Sequence, residues 1–113
     1  MSERNISLYL QDIYSAIKKI GKYTKGLSID QFKKSDKTVD AVIRNIEVMG
    51  EAVRNMPRQA KDKHSEIPWS KIIATRNKVI HEYFGVDSEI LWKTVEEDIP
   101  KLKKQIKKLL ESY

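Results

Sequence analysis

Apolar side chains recur at steps of three and four along most of the chain, the spacing of one buried helix face. In the first part of the sequence the repeat consists of Ile6, Leu10, Ile13, Ile17 and Ile20. This pattern predicts an amphipathic helix from about residue 4 to Tyr23 or Thr24. Gly26, just beyond it, is expected to end the helix.

A second long apolar pattern occupies the middle of the chain and is preceded by residues that commonly cap helices. Ser28 and Gln31 have the spacing of a capping box and predict a short turn through Phe32. Asp36 or Thr38 is then expected to cap the second long helix. The apolar stripe of that helix consists of Val39, Val42, Ile43, Ile46, Met49 and Val53.

Prolines mark the next boundaries along the chain. Pro57 ends the second long helix or begins a short polar one that reaches about His64. The segment 67–70, with its proline set for a first turn, begins the third main helix. Gly85 is expected to end this helix in the left-handed conformation. The apolar residues of this helix are Ile72, Ile73, Val79, Ile80 and Tyr83.

The last part of the chain predicts one or two further helices. Asp87 or Ser88 caps a fourth helix that carries Ile90, Leu91, Trp92 and Val95. Pro100 must kink that helix or start a fifth one, with a stripe made of Leu102, Ile106, Leu109 and Leu110. No segment alternates with period two over a useful length. Residues 1–113 therefore predict a single all-α domain, an antiparallel bundle of four to five helices.

Composition adds a basic character to this picture. Lys+Arg number 22 and Asp+Glu 16, a formal charge of +6. This charge favours binding to nucleic acid or marks lysine-rich solvated helix faces.

The absence of cysteine excludes disulfides, thiolate metal sites and a cysteine nucleophile. No apolar run reaches the roughly 18 residues of a membrane span, and the start of the chain lacks an apolar leader. A cytoplasmic protein is expected.

Arg76 lies inside the apolar arc of the third main helix. At about 100° per residue, it falls among the isoleucine, valine and tyrosine side chains of that stripe. A guanidinium group in such a position is unfavourable unless something pairs with it. Either a carboxylate from another helix does so, with Glu47 and Glu51 as candidates, or the stripe faces a cleft or a partner subunit.

His81 follows in a run that also contains Asn77, Glu82 and Tyr83. Ideal geometry separates His81 from Arg76 by roughly 140°. The two converge if the arginine stem wraps sideways, if the helix loosens near its end, or if two chains each contribute one residue. Read by itself, His81 is a hydrogen-bonded helix-end residue or a proton donor favoured by the helix C-terminus. The run as a whole suits the binding of a phosphodiester and proton transfer around it.

Other features indicate less specific roles. Arg58 and His64 repeat a similar spacing without apolar context, and His64 is interpreted as an exposed loop residue. Two distant histidines, with no HExxH pattern and no glycine-rich phosphate loop, predict neither a metal site nor a cofactor. Trp69 and Trp92 are interpreted as core or interface anchors rather than base-stacking platforms. A solvated face or a phosphate track would explain Lys101, Lys103, Lys104, Lys107 and Lys108.

The segment 76–85 resembles the signature of the HEPN superfamily, and more narrowly of HepT-like toxins. Those toxins are paired with minimal, MntA-like nucleotidyltransferase antitoxins. Further segments resemble that group in the same order along the chain, namely residues 9–13, 23–28, 41–47, 50–52, 67–69 and 98–100. Together they cover nearly the whole chain, and they are far more specific than the Arg–His spacing.

The resemblance implies a helical homodimer whose paired Arg and His residues line a shared, positively charged cleft. It also implies a metal-independent endoribonuclease. Arg76 would stabilise negative charge on the scissile phosphate, and His81 would act as general acid or base while the ribose 2′-hydroxyl attacks. Asn77 would orient one of these groups or the phosphate. The products would be a 2′,3′-cyclic phosphate and a free 5′-hydroxyl. Supporting roles are possible for three carboxylates, those of Glu47, Glu51 and Glu82.

Tyr83 completes an Arg-x4-His-x-Tyr motif. In HepT-like systems the partner nucleotidyltransferase transfers AMP to that tyrosine and silences the toxin. The adenylate would place bulk and negative charge in a cleft built for RNA phosphate. Tyr83 lies only about 20° from Arg76 on an ideal helix, so the group could cover the arginine.

Three functional hypotheses follow. The first is a toxin ribonuclease of a type VII-like toxin–antitoxin system, regulated by its nucleotidyltransferase partner. The second is a non-catalytic helical subunit that binds the nucleotidyltransferase and presents substrate to it. The third is a basic RNA-binding scaffold. Loss of RNA cleavage in Arg76→Ala and His81→Ala variants that still fold would distinguish the first from the others.

Overall fold

The computed structural model describes residues 3–81 and 87–113, without the side chains at 3, 4 and 81, and all its regular structure is helical. Four helices are long, namely α1 (Glu3–Thr24), α3 (Asp36–Asn55), α5 (Trp69–His81) and α7 (Ile99–Leu110). Three have six residues each, namely α2 (Ile29–Lys34), α4 (Arg58–Lys63) and α6 (Ser88–Lys93). The predicted all-α class is confirmed for this part of the chain. The described ranges contain seven α-helices and one π-helical turn, so the expected number of four to five helices is not confirmed.

The core lies between the long helices. Helix α1 contacts α3 and α7, and α3 in turn contacts α5. The stripe predicted for α1 is buried from Leu10 to Ile20, and that of α3 from Val42 to Val53. Burial of each such leucine, isoleucine or valine contributes about 1.5–3 kcal/mol, so these stripes are the main reason the helices associate. No helix in the described ranges is long and apolar enough to cross a membrane.

Helix ends follow the predicted signals in most places. Gly26 ends α1 with φ at +77°, and Ser28 and Gln31 form the predicted capping box, with reciprocal bonds of 3.2 and 2.9 Å. The expectation that Asp36 or Thr38 caps α3 was wrong. The cap is Ser35, whose hydroxyl accepts from the Thr38 N–H at 3.2 Å. Since α2 continues to Lys34, Ser35 is the single residue left between the two helices and ends one while starting the other.

The segment after α3 forms the predicted short polar helix, but His64 at its end differs from the prediction. His64 was expected to be an exposed loop residue, and its side chain is only 16% exposed. Its Nε2 lies 2.8 Å from the hydroxyl of Tyr113, and the two rings meet edge to face at 5.8 Å. The contact spans 49 residues of sequence, so no local pattern indicates it.

Helices α6 and α7 are joined by a π-helical turn, Thr94–Asp98. Asp87 caps α6, its carboxylate accepting from the Glu89 N–H at 2.8 Å. Pro100, at the start of α7, was expected either to kink the fourth helix or to begin a fifth. In an α-helix a proline clashes with the carbonyl four residues earlier. The wider turn before Pro100, in which the Ile99 N–H donates to Thr94 five residues back, explains how the chain stays helical up to the proline.

Candidate active site

Arg76 lies on α5 at the edge of the buried stripe. Ile72, one turn before it, and Val79, about one turn after it, are 6% and 5% exposed and belong to the core. The Arg76 side chain is 15% exposed. The position therefore combines a permanently charged group with surroundings that are mostly apolar, as the periodicity predicted.

A glycine on α3 makes room for this arginine. Gly50 is buried in the middle of α3. A Cβ atom placed on it would overlap Cβ and Cγ of Arg76 and would lie 3.2 Å from its Cδ. The stem of Arg76 thus crosses α3 at the one point where that helix carries no side chain. The sequence analysis assigned no functional role to Gly50. A glycine inside a strong helix pattern is nevertheless a signal that another element packs closely against the helix there.

The guanidinium group is held by two neighbours. Its Nη2 lies 2.6 Å from Oε1 of Glu51, the residue after Gly50. Its Nη1 donates to Oδ1 of Asn77 at 3.0 Å. Of the two carboxylates considered as partners, Glu51 is the one that pairs with Arg76, whereas Glu47 pairs with Arg44 at 3.9 Å.

One nitrogen of the guanidinium has no partner in the described part of the chain. The Nε atom of Arg76 is buried and has no hydrogen-bond partner within the described residues. A buried donor without an acceptor costs about 1–3 kcal/mol, and native structures retain few of them without a functional reason. The Nε–H of Arg76 is therefore an unpaired donor inside the cluster that Arg76 forms with Glu51 and Asn77.

The remaining predicted site residues divide into two groups. His81 is the last residue of α5, but its side chain lies outside the described residues, as do Glu82, Tyr83 and Gly85. Asn77 and Glu51 are brought together on Arg76, and Glu47 is not. The site contacts that the structure describes are thus those of α3 with the middle of α5.

Both tryptophans act as anchors, as predicted. Trp69 is buried, and its indole N–H donates to the carbonyls of Lys61 and His64 at 3.1 and 3.0 Å. Trp92 is half-buried and packs on Phe32, with ring centroids 5.0 Å apart. The buried ring of Trp69 is not free for stacking on a base. The five lysines of α7 are all exposed.

Comparison with known proteins identifies a family. The family model described as "Ribonuclease HepT-like" matches residues 13–109. A protein of Thermococcus cleftensis named "Probable ribonuclease HepT" is 48% identical over 101 residues, 89% of this chain and 92% of its own. One of Caldanaerobacter subterraneus subsp. tengcongensis, named "Putative RNase TTE0752", is 41% identical over 103 residues, 91% and 92% of the two chains. No solved structure matches significantly.

Proposed function

The chain belongs to the ribonuclease HepT-like family and is an endoribonuclease; we propose that it cuts RNA without a metal ion, using Arg76 and His81. The observation that carries this proposal is the Arg76 guanidinium, which is mostly buried, paired with one carboxylate and left with an unsatisfied Nε–H. Such a guanidinium is preorganised to bind a phosphate that replaces the Glu51 carboxylate.

The proposed reaction is a transfer within the RNA chain. The ribose 2′-oxygen attacks the adjacent phosphorus, and the bond from phosphorus to the 5′-oxygen of the next nucleotide breaks. His81 accepts the 2′-hydroxyl proton or donates one to the leaving oxygen. Arg76 stabilises the extra negative charge on the phosphoryl oxygens, and Asn77 holds Nη1 of Arg76 in position. The products are a 2′,3′-cyclic phosphate and a 5′-hydroxyl.

A homodimer would complete this site. One α5 helix separates Arg76 and His81 by roughly 140° in rotation and about 7.5 Å along its axis. Two copies related by a twofold axis would bring the arginine of each chain towards the histidine of the other. The net charge of +6 would favour RNA entry into the shared cleft.

Regulation would occur at Tyr83. We propose that the chain is a cytoplasmic toxin, silenced when a minimal nucleotidyltransferase transfers AMP to the Tyr83 hydroxyl. The bond formed joins the tyrosyl oxygen to the α-phosphorus of ATP, and pyrophosphate leaves. On an ideal helix Tyr83 and Arg76 share a face, so the attached phosphate, an anion, would compete with the phosphate of RNA for the arginine.

A cleavage assay in the presence of EDTA tests the catalytic part. Wild type should produce fragments ending in 2′,3′-cyclic phosphate, whereas Arg76→Ala and His81→Ala should lose at least about a hundredfold in rate while remaining folded. Arg58→Ala is the matched control, because Arg58 is 92% exposed and is followed six residues later by His64. Equal losses in Arg58→Ala and Arg76→Ala, or full activity in His81→Ala, would refute the assignment.

Expression in cells tests the regulatory part. Wild type should arrest growth, and His81→Ala should not. Co-expression with a minimal nucleotidyltransferase should restore growth and add the mass of one adenylyl group to Tyr83. A Tyr83→Phe variant that is still neutralised by the nucleotidyltransferase would show that the modification is not the mechanism.

A further inference from the structure

A second arginine shares the carboxylate that binds Arg76. Oε1 of Glu51 lies 2.6 Å from Nη2 of Arg76 and 3.8 Å from Nη1 of Arg54. Because both distances are measured from the same oxygen, the two guanidinium nitrogens are at most 6.4 Å apart. One carboxylate thus lies between two permanent cations.

The charges of this trio do not cancel. Arg54 and Arg76 together carry two positive charges, and Glu51 supplies one negative charge. In the described part of the chain Arg54 has no other acidic partner. The site keeps one unit of positive charge after its internal pairing, so it attracts a further anion.

The three side chains differ in their access to solvent. Arg54 is 61% exposed and Glu51 is 43% exposed, whereas Arg76 is 15% exposed. Arg54 is therefore the outer cation and Arg76 the inner one. An anion entering from solvent therefore reaches Arg54 before Arg76. The exposure of Glu51 allows its side chain to change rotamer and leave Arg76.

We propose that Arg54 is a second phosphate-binding residue of the active site and that Glu51 holds the place of the phosphate in the empty enzyme. A carboxylate and a phosphodiester both present paired oxygens to guanidinium groups. When RNA binds, a phosphate oxygen replaces Oε1 of Glu51 on Arg76, and Arg54 binds the same phosphodiester from the solvent side. The anion's identity as RNA rests on the proposed function, whereas the shared carboxylate does not.

The same helix contains a matched control. Arg44 pairs with Glu47 at the same spacing, at 3.9 Å and with 70% and 38% exposure. That pair resembles Arg54–Glu51, at 3.8 Å, in spacing, length and exposure, although the arginine precedes the glutamate in one pair and follows it in the other. Glu47 has no contact with Arg76 among the described residues, so Arg44 is not expected to reach the bound phosphate.

The test measures binding of an oligoribonucleotide that carries 2′-O-methyl groups throughout and has no 2′-hydroxyl to attack. Titrations between about 50 and 200 mM salt give the affinity and its salt dependence. Arg54→Gln should lower the affinity about three- to tenfold and reduce the slope of log K against log salt by about 0.7. Arg44→Gln should change both much less. Glu51→Gln should raise the affinity, because it removes the competing charge.

Each outcome bears on one proposal. Equal effects of Arg54→Gln and Arg44→Gln would overturn the role of Arg54, and weaker binding by Glu51→Gln would overturn that of Glu51. Cleavage of ordinary RNA by wild type is a separate measurement. If wild type cleaves RNA but Arg54→Gln behaves like Arg44→Gln, only this inference fails. If Arg54→Gln binds weakly but Arg76→Ala still cleaves, the proposed function fails, and the phosphate-binding site of Arg54 stands without its place in the active site.

Discussion

Gly50 and Arg76 are in such close contact that α3 has no room for a side chain where the arginine crosses it. Alanine normally stabilises the middle of a helix by about 0.5–1 kcal/mol relative to glycine. Gly50→Ala should do the opposite and lower the free energy of unfolding by about 1–3 kcal/mol, because the new methyl group overpacks the contact. Urea denaturation measures this change.

The control for this prediction is Gly21→Ala. Gly21 is also inside a long helix, α1, but a Cβ atom there would meet nothing within 4 Å. That variant should gain about 0.5–1 kcal/mol. Arg76→Gly removes the opposing Cβ and Cγ, so in that background Gly50→Ala should destabilise the protein much less than it does in wild type. If Gly50→Ala is as stable as Gly21→Ala, the close contact does not exist in solution.

Removal of the Glu51 carboxylate should destabilise the protein more than removal of Glu47. Glu51→Ala leaves the mostly buried Arg76 guanidinium without its anionic partner. The expected loss is about 1–2 kcal/mol, between the values for exposed and buried pairs. Glu47→Ala breaks only the exposed pair with Arg44 and should stay within about 0.5 kcal/mol of wild type. Equal losses on chemical denaturation would contradict the ion pair at Arg76.

Trp69 should matter for stability through its N–H as well as its ring. Trp69→Phe removes the donor shared by the carbonyls of Lys61 and His64, and an acceptor that loses its partner costs about 1–3 kcal/mol. Trp92→Phe makes the same exchange at the half-buried contact with Phe32. The melting temperature should fall clearly more for Trp69→Phe. The reverse order would show that ring contacts alone determine the role of both residues.

The contact between α2 and α6 should weaken at alkaline pH. Lys33 Nζ lies 2.8 Å from Glu89, and the hydrogen bond and charge of that carboxylate raise the lysine pKa above its usual 10.5. A raised pKa in the folded state means that the stabilisation is complete below 10.5 and disappears as pH rises through the folded value.

A pair of variants isolates this effect. The difference in free energy of unfolding between wild type and Glu89→Gln should be constant from neutral pH to about pH 10 and shrink above it. Lys33→Gln should show the same pH profile, since either variant removes the one interaction. A difference that is unchanged at higher pH would mean that Glu89 acts through something other than the Lys33 ammonium group.

Much of the fold could be predicted because its signals are local. The spacing of apolar residues assigns the buried faces of α1 and α3 without knowledge of their neighbours, and the capping box at Ser28 involves residues only three apart. Prediction was wrong in one place where a distant residue decides the outcome and in another where the length of a helix was underestimated. His64 is covered by Tyr113 from the other end of the described chain, and Ser35 became a cap because α2 ran further than its pattern indicated.

For the candidate site, the sequence alone identified Arg76, because a cation in an apolar arc is visible in any helical projection. It could not choose between Glu47 and Glu51, which are one turn apart on the same face of α3. Which glutamate pairs with Arg76 depends on where α5 crosses α3. Gly50 fixes this crossing point, because only a residue without a side chain leaves room for the stem of Arg76. The sequence of one helix determines which charged side chains lie on its apolar face, whereas the partner of such a side chain depends on how two helices pack.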